Sequence, residues 1–145
     1  MEKLLISACL LGDDVRYDGR HCFIGENVIS KLKKRYELIS ICPEVMSGMG
    51  VPRDPVELRD HCIVKADGED ITALFNPVKN HLSNLILKHS LKKALLKEKS
   101  PSCGVETIYS GNFDGKLVSG MGLIARYLYE EGLSVYSENQ VMKLL

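Results

Sequence analysis

Short apolar runs alternate with amphipathic stretches along most of this chain, and this alternation constrains the fold more than any other feature. The runs at 3–11, 37–42 and 91–97 are short and largely apolar, as expected for strands that a sheet buries on both faces. Strands that alternate with helices favour an open, mostly parallel α/β sheet. We therefore predict a single domain over residues 1–145, Rossmann-like or flavodoxin-like, with flanking helices and a β-hairpin insertion.

Helix signals fill the intervals between the predicted strands. Apolar positions with helical spacing follow Gly25, and Asn76 followed by Pro77 is typical of an N-cap with proline at the first helical position. A third helix is expected to end at Gly132, because glycine suits a C-cap. A capping box at 137–140 predicts a short terminal helix after a last strand.

Two hairpins are expected between these elements. The segment 56–72 is predicted to form a strand pair around Asp67 and Gly68, a dipeptide that favours hairpin turns. A second hairpin is predicted to join strands near 106–111 and 116–119.

The charge balance limits the class of ligand. The 19 basic and 19 acidic residues give a net charge of zero, so the chain lacks the basic surface that binds a nucleic-acid polymer. Small nucleobases or nucleosides need no such surface and remain candidates. The apolar run 4–11 is too short to span a bilayer and lacks the flanks of an export signal, so we expect a cytoplasmic protein with no membrane contacts.

The chain has five cysteines, and an odd number argues against a disulfide framework. The two nearest in sequence, Cys9 and Cys22, are 13 positions apart, so there is no Cys-x-x-Cys pair. This excludes the thioredoxin-type redox motif and the common zinc-ribbon spacings. Any metal site must therefore combine cysteines from distant parts of the fold.

Three cysteines, Cys9, Cys42 and Cys103, lie at or just after the predicted end of a strand. Ligands of open α/β sheets bind beyond the carboxyl ends of the strands, so we expect these thiols to meet at one rim of the sheet. Each cysteine alone fits a small buried apolar residue equally well. Cys22, in a polar loop, and Cys62, in a predicted strand, are not expected to be ligands of such a site.

Three gathered thiolates can hold a soft metal. Zinc normally takes a fourth protein ligand, or a water molecule where the site is catalytic. Iron–sulfur clusters are usually held by four cysteines, so three would leave one iron open to a substrate. Such an iron acts as a Lewis acid and suits a sulfur-bearing substrate.

Polar residues near these cysteines are candidates for the chemistry. Glu44, two residues after Cys42, is a candidate proton donor or base, and Ser102 adjoins Cys103. Arg53 is a candidate for orienting an anionic or carbonyl group. Polar residues in loops are also often simply exposed to solvent or cap a turn, and either explanation fits these residues as well. Weaker candidates for substrate binding are Ser7, Arg16, Asp18 and Ser100.

Six ordered motifs resemble the TudS-type thiouracil desulfidase family, formerly a domain of unknown function, and the resemblance runs almost end to end. The motifs are SACLLG at 7–12, VRYDG at 15–19, CPE at 42–44, GMGVPR at 48–53, SPSCG at 100–104 and GNFDG at 111–115.

This resemblance implies a 4Fe–4S cluster held by Cys9, Cys42 and Cys103, with Glu44 and Ser102 as acid–base and positioning residues. It implies that 2-thiouracil, or another thiolated nucleobase or nucleoside, is converted to the oxygen analogue and sulfide without net redox change. The substrate sulfur would bind the open iron. Because that iron has no protein ligand and is exposed to oxidants, we expect the protein to lose its cluster when it is handled in air.

Two other functions also fit these residues. A cysteine- or zinc-dependent hydrolase would use Cys103 as nucleophile and Glu44 as base, although no histidine lies near the cysteine motifs. A metal- or iron–sulfur-binding sensor or accessory module would hold the same centre without turnover. The sequence leaves the oligomeric state open.

Overall fold

A computed structural model describes the whole chain, residues 1–145. The strands are β1 (Glu2–Ser7), β2 (Tyr36–Ile41), β3 (Val56–Arg59), β4 (Cys62–Lys65), β5 (Lys93–Leu96), β6 (Thr107–Tyr109), β7 (Leu117–Ser119) and β8 (Ser134–Ser137). The α-helices are α1 (Glu26–Arg35), α2 (Pro43–Met46), α3 (Asn76–His89) and α4 (Leu123–Glu130). Short 3-10 helices cover Ala8–Leu11, Thr72–Phe75 and Glu138–Leu144.

The centre of the fold is a four-stranded, fully parallel sheet with the order β2-β1-β5-β8. This confirms the predicted α/β sheet flanked by helices. The chain runs from β1 to β2 and then crosses back past β1 to β5, so the winding direction reverses between β1 and β5. In open α/β sheets such a switch point opens a crevice at the carboxyl ends of the strands.

Side chains of β1 alternate between the two faces of the sheet. Leu4 and Ile6 pack with Ile29 and Leu32 of α1 on one face. Leu5 packs on the other face, in the cluster that contains the apolar residues of α3 and α4. Because helices cover both faces, the consecutive positions Leu4, Leu5 and Ile6 are all apolar and buried, which explains the continuous apolar run in the sequence.

The first strand is shorter than predicted. It ends at Ser7, and residues 8–11 form a 3-10 helix in place of the expected strand extension to Leu11. Leu10 is fully buried in this helix. A continuous apolar run records burial but no periodicity, so the change from strand to helix leaves no mark in the sequence pattern.

The first hairpin turns at a different place from the one predicted. Strands β3 and β4 are joined through Asp60 and His61, whose φ angles are 51° and 63°. Asp and His adopt this left-handed region more readily than most residues with a side chain. Asp67 and Gly68 form a later turn, which returns the chain so that Asp70 bridges to Val64.

All four predicted helices form, but the N-cap predicted for one of them is wrong. Helix α1 begins directly after Gly25. Gly132, with φ 97°, follows the end of α4, and the capping box at Ser137 and Gln140 opens the terminal 3-10 helix. Asn76 is not an N-cap, because the preceding 3-10 helix runs straight into α3 and Asn76 already has helical angles.

The second hairpin, β6 with β7, forms where the sequence predicts it. None of the helices combines the length and the apolar character that crossing a bilayer requires.

Helix α4 begins against the loop that follows β5. The carbonyl groups of Pro101 and Ser102 accept the N–H groups of Leu123 and Ile124, each at 2.9 Å. The loop backbone thus satisfies amides that every helix start leaves without an intrahelical partner. A Cβ at Gly122 would lie 2.5 Å from the carbonyl carbon of Ser102, so only glycine permits this approach.

We predict that Gly122→Ala lowers the free energy of unfolding by about 1–3 kcal/mol, because the added methyl group overlaps loop backbone. Gly122 has φ −65°, which alanine adopts freely, so the variant tests the overlap alone. Gly50→Ala is the matched control, since a Cβ there meets no atom within 4 Å and should change stability by less than about 0.5 kcal/mol. Urea unfolding measures both variants, and equal stabilities would contradict this packing.

Candidate active site

The carboxyl ends of β1, β2 and β5 border a cavity of about 360 Å³. Strands β1 and β5 pair only as far as Ile6 and Leu95. Beyond that point the Ser7 hydroxyl, in place of a backbone carbonyl, accepts the N–H of Lys97 at 3.0 Å. The separation of the two strands therefore opens the crevice that their topology requires.

Cys9 is placed on the cavity wall by the 3-10 helix after β1. Its carbonyl group accepts the N–H groups of Gly12 and Cys22, at 3.2 Å and 2.9 Å. Gly12 has φ 98°, which glycine adopts without steric cost, and this left-handed turn ends the helix. The side chain of Cys9 is 8% exposed, so the thiol lies on a buried turn with fixed backbone.

Cys42 lies between β2 and the short helix α2, as the N-cap of that helix. Pro43 occupies the first turn, and the Met46 N–H donates to the Cys42 carbonyl at 2.8 Å. The Cys42 Sγ lies 3.9 Å from the carbonyl oxygen of Val15. Because Glu44 is on the first turn of α2, the thiol and the carboxylate border the same cavity.

Cys103 is held in a turn that Ser100 organises. The Ser100 hydroxyl accepts the N–H groups of Ser102 and Cys103, at 3.2 Å and 3.0 Å. The Ser100 carbonyl accepts the N–H of Gly104 at 2.8 Å, and a Cβ on Gly104 would lie 2.8 Å from that oxygen. The turn therefore requires glycine after the cysteine, whose own residue is only 4% exposed.

Glu44 is oriented by two donors. The Arg53 Nε donates to its Oε1 at 3.2 Å, and the Ser102 hydroxyl donates to its Oε2 at 3.2 Å. Arg53 is itself fixed by a 2.9 Å bond from its guanidinium to the Val15 carbonyl. The Ser102 Oγ lies 3.8 Å from the Cys103 Sγ. A chain of polar contacts thus runs from the arginine to the thiol.

Burial raises the pKa of both Cys9 and Cys103 to about 12. Repulsion between neighbouring thiolates adds to this shift, whereas hydrogen bonds from Ser7 and Ser102 oppose it at Cys103. Burial also raises the pKa of Cys42. The nucleophilic form of cysteine is the thiolate, so these thiols are poor nucleophiles near neutral pH unless a cation binds them.

The cavity brings together nine of the ten residues that the sequence singles out. Ser7, Arg16 and Ser100 line it with the three cysteines and the triad of Glu44, Arg53 and Ser102. Asp18 does not line it; its carboxylate accepts the Arg20 N–H at 3.0 Å and lies 3.8 Å from the Arg16 guanidinium. Cys22 and Cys62, which are not expected to be ligands, are also absent from the wall.

Sequence reasoning missed Glu98, a cavity residue that is 4% exposed. Its Oε1 accepts the N–H groups of Val105, Glu106 and Thr107 at 2.8–3.0 Å, and that of Lys99 at 3.4 Å. This carboxylate fixes both ends of the loop that contains Cys103. Burial raises the pKa of Glu98, but the four backbone bonds outweigh burial and leave it below its ordinary value. No local sequence signal marks such a contact, because its partners lie up to nine residues further along the chain.

The cavity wall also contains residues from the hairpins and from the loops after β1 and β5 that were not anticipated. They are Tyr17, Glu57, Lys97, Lys99, Tyr109 and Phe113.

The donor set fits an iron–sulfur cluster. Three thiols that come from three strand ends share one cavity, and thiolates are the usual ligands of iron–sulfur clusters. No three His, Cys, Asp or Glu side chains lie close enough together to hold a single metal ion. No histidine lines the cavity, so the Cys103 thiol has no imidazole beside it to act as a base.

A parallel α/β sheet with a three-thiol cavity at its switch point defines the class of this protein. The sequence model of the 2-thiouracil desulfurase family matches residues 4–140, and the chain belongs to this family. The family predicted from the sequence motifs is thereby confirmed.

Two relatives cover nearly the whole chain. The uncharacterized protein YbbK of Bacillus subtilis (strain 168) is 34% identical over an alignment 152 residues long, which covers 98% of this chain and 99% of the relative. The solved structure of the 4Fe-4S-dependent thiouracil desulfidase TudS superposes with a TM-score of 0.93 at 40% identity, over 99% of this chain and 95% of the other.

We predict that Glu98→Gln lowers the free energy of unfolding by about 1–2 kcal/mol at pH 7, because a neutral amide accepts the backbone bonds less strongly than a carboxylate. The folded pKa of Glu98 is lowered, so its ionisation stabilises the fold above the unfolded value of about 4.3, and this stabilisation is lost as pH falls through the folded pKa. The variant should therefore lose less stability than the wild type between pH 5 and pH 3.

Chemical unfolding at a series of pH values measures this difference. Glu130→Gln, at an exposed glutamate of α4, is the matched control and should follow the wild-type curve. If Glu98→Gln loses as much stability as the wild type between pH 5 and pH 3, the assigned role of the carboxylate is excluded.

Proposed function

We propose that this protein is an iron–sulfur-dependent desulfidase that converts 2-thiouracil and water to uracil and sulfide. Family membership and the likeness to a 4Fe-4S-dependent thiouracil desulfidase support the reaction class. The observation that carries the proposal is the meeting of Cys9, Cys42 and Cys103 on one cavity wall beside Glu44 and Ser102. The substrate is a small thiolated nucleobase or nucleoside.

Cys9, Cys42 and Cys103 would hold the cluster through their thiolates. Bound there, a 4Fe–4S cluster with three protein ligands supplies an open iron that acts as a Lewis acid toward the substrate sulfur. All three thiols have raised pKa values, so cluster binding must displace three protons from them.

Glu44 is the proposed acid–base residue. The water that attacks the thiocarbonyl carbon gives a proton to the carboxylate, and that proton is returned as the C–S bond breaks. Water supplies the oxygen of uracil, its two protons leave with the sulfur as hydrogen sulfide, and no electrons are gained or lost. The Arg53 contact fixes the carboxylate during both transfers.

Ser102 is the proposed positioning residue between the carboxylate and the cluster site. Its hydroxyl reaches both the Glu44 Oε2 at 3.2 Å and the Cys103 Sγ at 3.8 Å. Ser102 is 1% exposed, so bulk water does not compete for these contacts. Ser7, Arg16 and Ser100 remain predicted substrate-binding residues, and no contact supports that role for Asp18. Free cysteines suit a reducing compartment, so we also propose a cytoplasmic location.

Anaerobic reconstitution followed by incubation with 2-thiouracil tests the proposal. We expect the wild type to release uracil and sulfide in equal amounts. Cys9→Ala, Cys42→Ala and Cys103→Ala should each lose cluster iron and turnover. Cys22→Ala and Cys62→Ala remove cysteines that do not line the cavity, so they should keep both iron and activity.

Each alternative function predicts a different result in the same experiment. Turnover by a colourless protein without iron would favour the hydrolase. A protein that binds the cluster but releases no sulfide from any thiolated base would favour a sensor or accessory module. Iron loss in Cys22→Ala equal to that in Cys9→Ala would contradict the assigned ligand set.

We predict that Glu44→Gln lowers kcat for 2-thiouracil by about 10²- to 10⁴-fold, because an amide cannot carry the transferred proton. The glutamine carbonyl oxygen can still accept the Arg53 bond, and the amide N–H can donate to the Ser102 hydroxyl, so iron content should stay at the wild-type level. Steady-state kinetics and iron analysis of the reconstituted variant measure the two quantities, with Glu130→Gln as the control. Unchanged kcat would exclude Glu44 as the acid–base residue.

A further inference from the structure

The β6–β7 connection forms a rigid arm at the cavity, which we define as residues 110–116. Arg59 of β3 donates two hydrogen bonds to the Gly111 carbonyl, at 2.8 Å and 2.6 Å. Glu57, also on β3, accepts the N–H groups of Gly111 and Phe113 on its Oε1, at 2.9 Å and 3.2 Å. A Cβ on Gly111 would lie 2.6 Å from the Leu58 carbonyl oxygen, so the arm lies directly on β3.

Phe113 is held at the tip of this arm in a costly conformation. Its φ is 54°, in the left-handed region that bulky residues avoid. The Glu57 bond to its N–H maintains this conformation. Phe113 lines the cavity, as does Tyr109 of β6. Residues held in such strained conformations concentrate at active sites and ligand clamps.

The polar groups of the cavity are largely committed to other partners. Glu44 is paired with Arg53, and the Glu98 carboxylate is occupied by loop backbone. Three aromatic residues line the wall, Tyr17, Tyr109 and Phe113, and of these Phe113 alone belongs to the arm and has the left-handed backbone. Aromatic side chains stack on nucleobases regardless of the pattern of polar groups on the base edge.

We propose that Phe113 provides the face on which the pyrimidine ring of the substrate stacks, so that the arm selects planar heterocyclic thioamides. The inference rests on the proposed desulfidase function. In this arrangement the ring plane is set by Phe113, while the cysteine and Glu44 side of the cavity receives the edge that carries the sulfur. Glu57 is a positioning residue, because it acts through the backbone of Phe113.

The experiment compares the binding of uracil and 5,6-dihydrouracil to the reconstituted holoenzyme by calorimetry. The two ligands share their polar groups, but only uracil has a flat, conjugated ring. We expect wild type to prefer uracil, and Phe113→Leu to bind uracil about 5- to 100-fold more weakly while dihydrouracil binding changes little. Leucine keeps an apolar side chain in the same strained backbone, and Phe113→Tyr, which restores a flat ring, should recover uracil binding.

Matched controls separate stacking from structural damage. Tyr129→Leu removes an aromatic ring that is 62% exposed on α4 and does not line the cavity, so it should bind both ligands as the wild type does. Phe113→Leu should raise KM for 2-thiouracil with kcat and iron content unchanged, the pattern of lost uniform binding. Sulfide release by the wild type tests the desulfidase function separately, so a failure of stacking and a failure of the reaction are distinguishable.

Three outcomes would overturn the proposal. The first is a wild type that does not prefer uracil over dihydrouracil. The second is a Phe113→Leu variant with the same preference as the wild type. The third is a Glu57→Ala substitution that weakens uracil binding as much in the Phe113→Leu background as in the wild type, because a residue that acts through Phe113 must give a non-additive result.

Discussion

The separation of β1 and β5 beyond Ile6 and Leu95 is the constraint on which the site depends. The sheet winds in opposite directions from these two strands, so no connection covers the space between their carboxyl ends. Ser7 and Lys97 close the ladder with a side-chain bond, and the loops that follow both strands diverge around the cavity. Every cysteine of the proposed ligand set reaches the cavity within seven residues of a strand end.

The loops around this crevice are held by polar contacts rather than by a second apolar core. The Glu98 carboxylate, the Ser100 hydroxyl and the carbonyl of Cys9 each accept two or more backbone N–H groups. Such bonds fix backbone without filling space, so the loops stay rigid beside an open volume. Close contacts at Gly104 and Gly122 add to this rigidity, because neither position has room for a side chain. The proposed cofactor site needs thiols on fixed backbone around a cavity, and the fold has both features.

Much of this fold follows from the sequence, since continuous apolar strands and helical periodicity report burial directly. The end of β1 does not follow from the sequence, because a buried 3-10 helix and a buried strand have the same apolar pattern. The hairpin turn at Asp60 and His61 does not follow either, because the favourable Asp-Gly pair forms a different turn. The candidate ligands could be predicted from the sequence, because the carboxyl ends of parallel strands lie at one edge of the sheet and residues that follow them converge there. Glu98 and Phe113 could not be predicted in this way. A carboxylate that binds backbone and an aromatic residue in a loop acquire their roles only through distant partners.

The raised pKa values of the buried thiols affect the chemical reactivity of the protein before a cofactor binds. At neutral pH, Cys9 and Cys103 are protonated and therefore slow in thiol–disulfide exchange and in reactions with electrophiles. The same desolvation that makes their ionisation unfavourable therefore keeps these two thiols unreactive toward such reagents. Binding of the proposed cluster by these thiols would exchange hydrogen ions for iron, so a lower pH would oppose cluster assembly and a higher pH would promote it.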